Sequence, residues 1–304
     1  MRTHHSLGAL IAAFLLGRLS APATDPRAAL ASRLSSEAAF EAATTASFSG
    51  KAGAKLASAY GGSRASVPAW DIPKGMYLWD WFSPTAPCGA KERVGAIGDG
   101  GKWVCELARY APAPLGAAPP PAPCTVYSFG VRDDSSFEAE LHARTRCHIH
   151  AFDMTVGGVA GAAAGLPRVA FSRVGLGGWP GAPADTAPLQ QLMAERGHAF
   201  IDILKIDVEY AEVRAIPALL DALPRGAAPP FEQLLLEVHH WDDDLPALWT
   251  LFEALAARGV VPFMSESNHN PSVMGHGPLV TEYSFYSRGA WFDAERAWRM
   301  LHGG

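Results

Sequence analysis

Four stretches of the 304-residue chain carry side chains whose type and spacing could do chemistry. The first is Ser128-Phe129-Gly130-Val131-Arg132-Asp133-Asp134-Ser135-Ser136-Phe137-Glu138. A β-rich run ends at Phe129, Gly130 permits a tight turn, and Ser135 with Glu138 has the spacing of a capping box that opens a helix. Backbone amides at such a helix start favour a ligand carboxylate or phosphate. A dinucleotide-binding turn would read G-x-G-x-x-G, and its second glycine is Arg132 here, which speaks against a nicotinamide or flavin cofactor. A turn with no ligand is the alternative. The second stretch ends on Asp153, 23 residues beyond Gly130 at the close of HIHAFD. An acid there can accept hydrogen bonds from ribose hydroxyls, or it can simply cap a turn.

The third stretch is Leu204-Lys205-Ile206-Asp207-Val208-Glu209. Two carboxylates and a lysine leaving an apolar strand are costly unless paired or used. Strand alternation predicts that Lys205, Asp207 and Glu209 share one face, and a structural Lys205–Asp207 ion pair is the alternative to a functional role. The fourth is Glu237-Val238-His239-His240, followed by Asp242, Asp243 and Asp244. A histidine beside carboxylates suits a base or a metal site, but this spacing does not specify a metal and none is expected. The acidic triplet reads as a helix cap on a solvated turn.

The elements that must position these residues alternate in type. Strands are predicted at 125–129, 148–152, 168–174, 201–206, 233–238, 260–264 and 283–286. Helical patterns cover 134–144, 188–197, 211–223 and 245–258, the last ended by Gly259. Strands separated by helices imply an α/β fold: a mostly parallel sheet with helices on both faces. Ligands then bind at the carboxyl ends of the strands, near the switch in strand order. All four stretches lie on that rim.

Upstream of this core, residues 1–23 have the layout of a signal peptide: Arg2, the apolar run Leu7 to Leu16, then Ala21-Pro22-Ala23. An uncleaved signal anchor is the alternative. Residues 24–68 read as a low-complexity stem. The folded domain, 69–304, is expected to start near Trp70, with an N-terminal cap over 69–123 and an α/β core over 124–304. The Pro-rich run Ala111 to Pro123 divides the two. Such a leader implies the secretory pathway, Golgi lumen or secreted, with organelle targeting as the alternative. Apolar residues make up 49% of the chain and charged ones 18%, enough for a buried core. The net charge of −5 argues against a broad nucleic-acid-binding face. No membrane contact is expected beyond the N-terminus.

Cys88, Cys105, Cys124 and Cys147 have no zinc-finger spacing, and an even number behind a signal suggests disulfides. Three pairings are open, of which Cys88–Cys105 with Cys124–Cys147 is favoured. Cys124 and Cys147 each precede a predicted strand, and those two strands should be neighbours.

Taken in order, SFGVRDDSSFE, FD, VGLGG, LKIDVEYAE and EVHHW resemble the FkbM-like S-adenosylmethionine-dependent methyltransferases. Arg93-Val94-Gly95 and GDGGKWVC (Gly98 to Cys105) narrow the resemblance to the methyltransferase-like protein 24 group, across roughly residues 76–288. The resemblance implies a class I, Rossmann-like, seven-stranded methyltransferase sheet with an antiparallel last strand, and S-adenosyl-L-methionine as cofactor. It implies that Ser128 and Gly130 line the methionine end, that Asp134 and Ser135 also bind the cofactor, that Asp153 holds the ribose, and that Gly175, Leu176 and Gly177 lie near the adenine. Asp207 would sit beside the sulfonium, and Asp99, Gly100, Gly101 and Lys102 would close over the cofactor. The acceptor would be a small molecule or glycan bearing a hydroxyl, with His239, Glu237 and Glu209 as candidate bases. Two positions depart from the family pattern: Tyr210 replaces the glycine of KIDVEG, and Met154 the proline of FDP. Tyr210 is expected to narrow the acceptor side. A domain that keeps the fold but only binds a ligand is the alternative function.

Overall fold

The computed structural model describes Trp79 and residues 82–112, 124–241, 245–274 and 278–291. The expected leader, the stem, most of the Pro-rich run and the acidic triplet Asp242 to Asp244 lie outside these residues. The described part opens with an antiparallel hairpin that the sequence reading did not anticipate, β1 (Lys91–Val94) and β2 (Lys102–Cys105). A 3-10 turn, Leu107–Tyr110, follows it.

The core strands are β3 (Thr125–Phe129), β4 (His148–Phe152) and β5 (Val169–Ser172), then the two-residue strands β6 (Gly175–Leu176) and β7 (Thr186–Ala187). After them come β8 (Ile201–Ile206), β9 (Phe231–His239), β10 (Val260–Ser267) and β11 (Val280–Ser287). The helices are α1 (Ser136–Arg144), α2 (Leu189–Glu195), α3 (Glu212–Asp221), α4 (Leu245–Ala257) and α5 (Arg288–Trp291). Among the described residues no helix is long and apolar enough to cross a membrane.

Seven strands form one sheet in the order β10-β11-β9-β8-β3-β4-β5. β3 pairs in parallel with both β4 and β8, and β8 with β9, whereas β11 runs antiparallel to β9 and β10. This is the class I methyltransferase sheet, with its antiparallel last strand inserted beside the edge. The strand order reverses between β3 and β8, which opens a crevice at their carboxyl ends.

Strand alternation sorts the core into two layers. Tyr127, Phe129, Leu204, Ile206, Leu234 and Leu236 pack under α2, α3 and α4 on one face. Val126, Ile149, Ile203 and Leu235 pack on the other face against α1 and the β1–β2 hairpin, through Phe137, Leu141, Val94 and Val104. β9 is buried along its whole length, yet its hairpin-side residues include Gln233, Glu237 and His239. Such residues need partners when dry. Gln233 finds them in backbone: its Oε1 accepts from the Cys105 amide at 2.8 Å, and its Nε2 donates to the Cys105 carbonyl at 3.0 Å.

Both favoured disulfides form. Cys124–Cys147 joins the residues just before β3 and β4, and Cys88–Cys105 ties the segment before β1 to the end of β2. With loops of 17 and 23 residues, each bond should stabilise the fold by about 3 kcal/mol on the loop-entropy account. Urea unfolding of Cys88→Ser/Cys105→Ser and of Cys124→Ser/Cys147→Ser checks those values. Peptide mapping without reductant, on protein secreted from a eukaryotic host, should recover both pairs; four free thiols there would overturn the pairing.

Candidate functional site

A cleft of about 450 Å³ lies at the carboxyl ends of β3, β4, β8 and β9, within the usual size for a small-molecule site. Its floor is set by Gly130, which has φ +78°; a Cβ added there would come within 1.7 Å of the Asp207 carbonyl oxygen. The turn therefore brings the exits of β3 and β8 into backbone contact, which only glycine allows. Lys205 reinforces it by donating from Nζ to the Gly130 carbonyl at 2.8 Å.

Asp153 closes the β4 side. Its Oδ2 accepts from the Arg132 amide at 3.0 Å, and its Oδ1 from the Thr155 amide at 2.7 Å and hydroxyl at 2.6 Å. Burial pushes this carboxyl up, but the hydrogen bonds from Thr155, Arg132 and Val131 outweigh it and hold the pKa below the usual aspartate value. Beyond Asp153 the cleft is lined by Met154, Gly175, Leu176, Trp179, Pro183 and Thr186.

The opposite end is acidic and, at Lys102, Glu237, His239 and Glu282, buried. In the sheet register Glu237 of β9 faces Glu282 of β11, which in turn faces Glu266 of β10. Three glutamates side by side would repel one another, and the hairpin supplies the counter-charges. Lys102, 1% exposed, donates to Glu282 and, at 3.2 Å, to Asp207. Arg93 donates to Glu266 at 2.9 Å, and the Trp103 indole also bonds Glu266. Burial opposes the Lys102 charge, but Asp207, Glu282 and Glu237 more than offset that and hold its pKa above the usual lysine value. Burial likewise pushes Asp207 up, yet Lys102 and Lys205 keep it well below the usual carboxylate range. Glu237 has no such cation to itself. Burial and the neighbouring Glu282 and Asp207 carboxylates push it up to about 11, so it keeps its proton at neutral pH and hydrogen-bonds to Asp207.

His239 completes this end. Its backbone amide and Nδ1 both contact Glu212 Oε1, at 2.8 and 3.0 Å, while Nε2 faces Glu237 Oε2 at 3.5 Å and Glu209 Oε2 at 3.6 Å. Burial disfavours its positive charge, but the Glu212 contact overrides that and raises its pKa. Trp241, 37% exposed, lies with its ring 5.3 Å from the His239 ring at the cleft mouth.

The cleft thus gathers Asp99, Gly100, Gly130, Asp134, Asp153, Gly175, Leu176 and Asp207, together with His239, Glu237 and Glu209. Five expected residues do not line it, among them Gly177, which packs on Thr186. Ser128 is buried and donates to Glu138, and Ser135 bonds the Ala160 carbonyl and the Ala163 amide. Gly101 packs on Arg93, and Lys102 lies beneath Asp207.

The expected capping box does not form either. Ser135 is tied to the Gly161–Ala163 turn and Glu138 to Ser128, so Asp134 Oδ1 accepts from the Ser136 amide instead, at 2.8 Å. Lys205, Asp207 and Glu209 all line the cleft, but not as one continued strand. β8 stops at Ile206, and Glu209 and Tyr210 turn with φ +53° and +81°. Tyr210 thus adopts the left-handed conformation for which glycine is the usual residue. Its side chain packs against the core and is not among the cleft-lining residues, so it does not narrow the pocket as expected. The ion-pair partner of Asp207 is Lys102 rather than Lys205. Asn268 went unnoticed in the sequence, and Glu212 and Trp241 stood in the quoted motifs LKIDVEYAE and EVHHW without a role assigned. Glu212 was visible in the YAE of LKIDVEYAE, but nothing local told it apart from an ordinary helix-start acid.

Residues 60–276 match the family described as "Methyltransferase domain". No curated protein matches the chain. Among solved structures, the fibrillarin pre-rRNA processing protein of Methanococcus jannaschii overlaps 65% of this chain and 98% of its own, at 9% identity and a TM-score of 0.36. The Burkholderia thailandensis 1,6-didemethyltoxoflavin-N1-methyltransferase, bound to its substrate and S-adenosylhomocysteine, overlaps 54% of this chain and 71% of its own, at 16% identity and a TM-score of 0.32. Both overlaps are loose. The family match covers more than two thirds of the chain, and with the strand order and the cleft at its reversal, it establishes that the chain belongs to the methyltransferase-domain family.

Proposed function

We propose that the protein is an S-adenosylmethionine-dependent methyltransferase of the FkbM-like kind, nearest the methyltransferase-like protein 24 group. Its reaction would be O-methylation of a sugar or other small hydroxyl acceptor. The observation that carries this reading is the cleft itself: the Gly130 turn at the exits of β3 and β8, a hydrogen-bonded acid at Asp153 beyond it, and buried carboxylates at the other end.

The residues present fit the cofactor. Gly130 and Asp134 line the cleft past the exit of β3, where the methionine end would lie. Asp153 would hold ribose hydroxyls by exchanging one of its contacts to Thr155, Arg132 or Val131 for them. The part of the cleft lined by Gly175, Leu176 and Trp179 suits a flat, mostly apolar ring, and Asp207 presents negative charge where a sulfonium would be stabilised. Asp99 and Gly100 of the hairpin tip flank the opening. When bound, the cofactor supplies a methyl group already activated by its positive sulfur. What remains for the protein is to align the acceptor and accept its hydroxyl proton. Because Glu237 holds a proton at neutral pH, His239 and Glu209 are the better-placed acceptors for that proton. The two disulfides fit an oxidising compartment, which supports the secretory pathway.

Calorimetry should show S-adenosylmethionine and its demethylated product binding, and no binding of NAD. The reverse pattern would sink the reading. Asp153→Ala should weaken donor binding by roughly 1–3 kcal/mol, the cost of unmet hydrogen bonds. Labelled donor incubated with panels of glycans and small hydroxy compounds, read by mass spectrometry, then identifies the acceptor. Donor bound with no compound methylated would favour a domain that only binds.

A further inference from the structure

The geometry points to a divalent-cation site made by Asp207, Glu237 and His239 in the wall of the cleft. Each offers one ligand atom, and these atoms lie within 4.8 Å of one another. Oxygen and nitrogen donors bind such ions at about 2.0–2.2 Å, so closing the set round one ion requires shifts of about half an ångström. The three come from the ends of two adjacent strands, β8 and β9, so the sheet fixes their spacing.

Two further observations point to a ligand there. His239 is 2% exposed, and its Nδ1 is anchored on the fully buried Glu212, while Nε2 faces the Glu237 and Glu209 side chains at 3.5 and 3.6 Å. A carboxylate that fixes one imidazole nitrogen and aims the other is the arrangement that orients a metal-bound histidine. Glu282, 4% exposed, sits directly opposite Glu237, and its Oε2 has no hydrogen-bond partner. Lys102 engages Oε1 of Glu282, so the other oxygen of that carboxylate remains beside the cluster.

Once the ion displaces the proton that Glu237 otherwise holds, two carboxylates with one imidazole form a mixed donor set suited to Mn²⁺, Fe²⁺ or Zn²⁺ better than to a soft, thiolate-seeking ion. Three protein ligands leave positions open toward the cleft. Those positions would take two neighbouring oxygens of an acceptor, such as the vicinal hydroxyls of a sugar. Glu209, half exposed on the cleft side of Nε2, would then receive the hydroxyl proton. The acceptor part of this inference rests on the methyltransferase reading above, whereas the cation site does not.

The test uses the full chain, stripped with EDTA and desalted. Mn²⁺ is titrated with the free ion followed by electron paramagnetic resonance, and Zn²⁺ and Mg²⁺ by calorimetry. One Mn²⁺ per chain is expected. Asp207→Asn and His239→Gln should each weaken it at least about tenfold, and Glu212→Gln by roughly 10–100-fold, as for a partner that orients a ligand. Asp153→Ala, whose carboxylate lies at the other end of the cleft, should leave Mn²⁺ binding unchanged. Thermal melts identify any variant that fails to fold, and Asp207→Asn, nearly isosteric, is the variant least exposed to that failure. Saturable binding of none of the three ions by the wild-type chain would overturn the site, as would variants that bind Mn²⁺ like wild type. S-adenosylmethionine binding is measured on the same samples. Donor binding without cation binding removes this inference alone, and cation binding without donor binding removes the methyltransferase reading alone.

Discussion

Replacing Lys102 with methionine should cost the fold roughly 3–5 kcal/mol, the usual penalty for removing one partner of a buried ion pair. Methionine fills much of the same volume, so the loss reports charge rather than a cavity. What remains is the buried Glu282 and the mostly buried Asp207 without their shared cation, beside Glu237. Urea unfolding of the two proteins at neutral pH measures the difference. The sign of the pH dependence is fixed as well. Burial already raises the Glu282 pKa in the native protein, and removing Lys102 raises it further. A native-state pKa above the unfolded value means that stability is recovered as pH falls, so the deficit should shrink from neutral toward acid pH. Lys102→Met/Glu282→Gln should restore part of the loss at neutral pH. A single variant within 1 kcal/mol of wild type would mean that the hairpin does not hold this layer together.

Gly130→Ala should be nearly as costly and more damaging to binding. Alanine at φ +78° carries the left-handed penalty of roughly 1–3 kcal/mol. Its Cβ would also meet the Asp207 carbonyl oxygen at 1.7 Å. Backbone cannot rotate away as a side-chain tip can, so β3 and β8 must part, at an overpacking cost of roughly 1–3 kcal/mol more. Parting them moves the Lys205 contact on the Gly130 carbonyl and the approach to Asp207 together. Donor affinity should therefore fall by more than the Asp153→Ala variant shows, while far-UV circular dichroism stays native. Calorimetry beside a thermal melt checks both. Wild-type donor affinity in Gly130→Ala would remove Gly130 from the cofactor site.

Much of this protein can be read from local pattern. β3, β4 and β8 have the bounds that TVYSF, HIHAF and IDILKI suggest, because a short β-rich run between turn signals needs no distant information. Gly130 and the Cys124–Cys147 pair were also legible: each depends on what directly follows a strand or directly precedes one. The β1–β2 hairpin was not, since four-residue strands flanking a glycine-rich turn carry too little periodicity to stand out. The capping box failed for a related reason. Its spacing was right, but the Gly161–Ala163 turn and Ser128, both distant in sequence from one partner, captured Ser135 and Glu138.

What the sequence determined by itself was the class of sheet and the rim on which the acids and the histidine would gather. What the tertiary structure alone decided was which charge neutralises which. Lys102 is separated from Asp207 by 105 residues and from Glu282 by 180, and its own neighbourhood in sequence names neither. Lys205, the near candidate, turns to a backbone carbonyl instead. Glu212 reaches His239 only because α3 begins where β9 ends. Strand period fixes which face a side chain occupies, but the order of strands fixes its neighbours. Inserting β11 between β9 and β10 sets Glu237, Glu282 and Glu266 in one row, and that row is what the hairpin lysine and arginine neutralise.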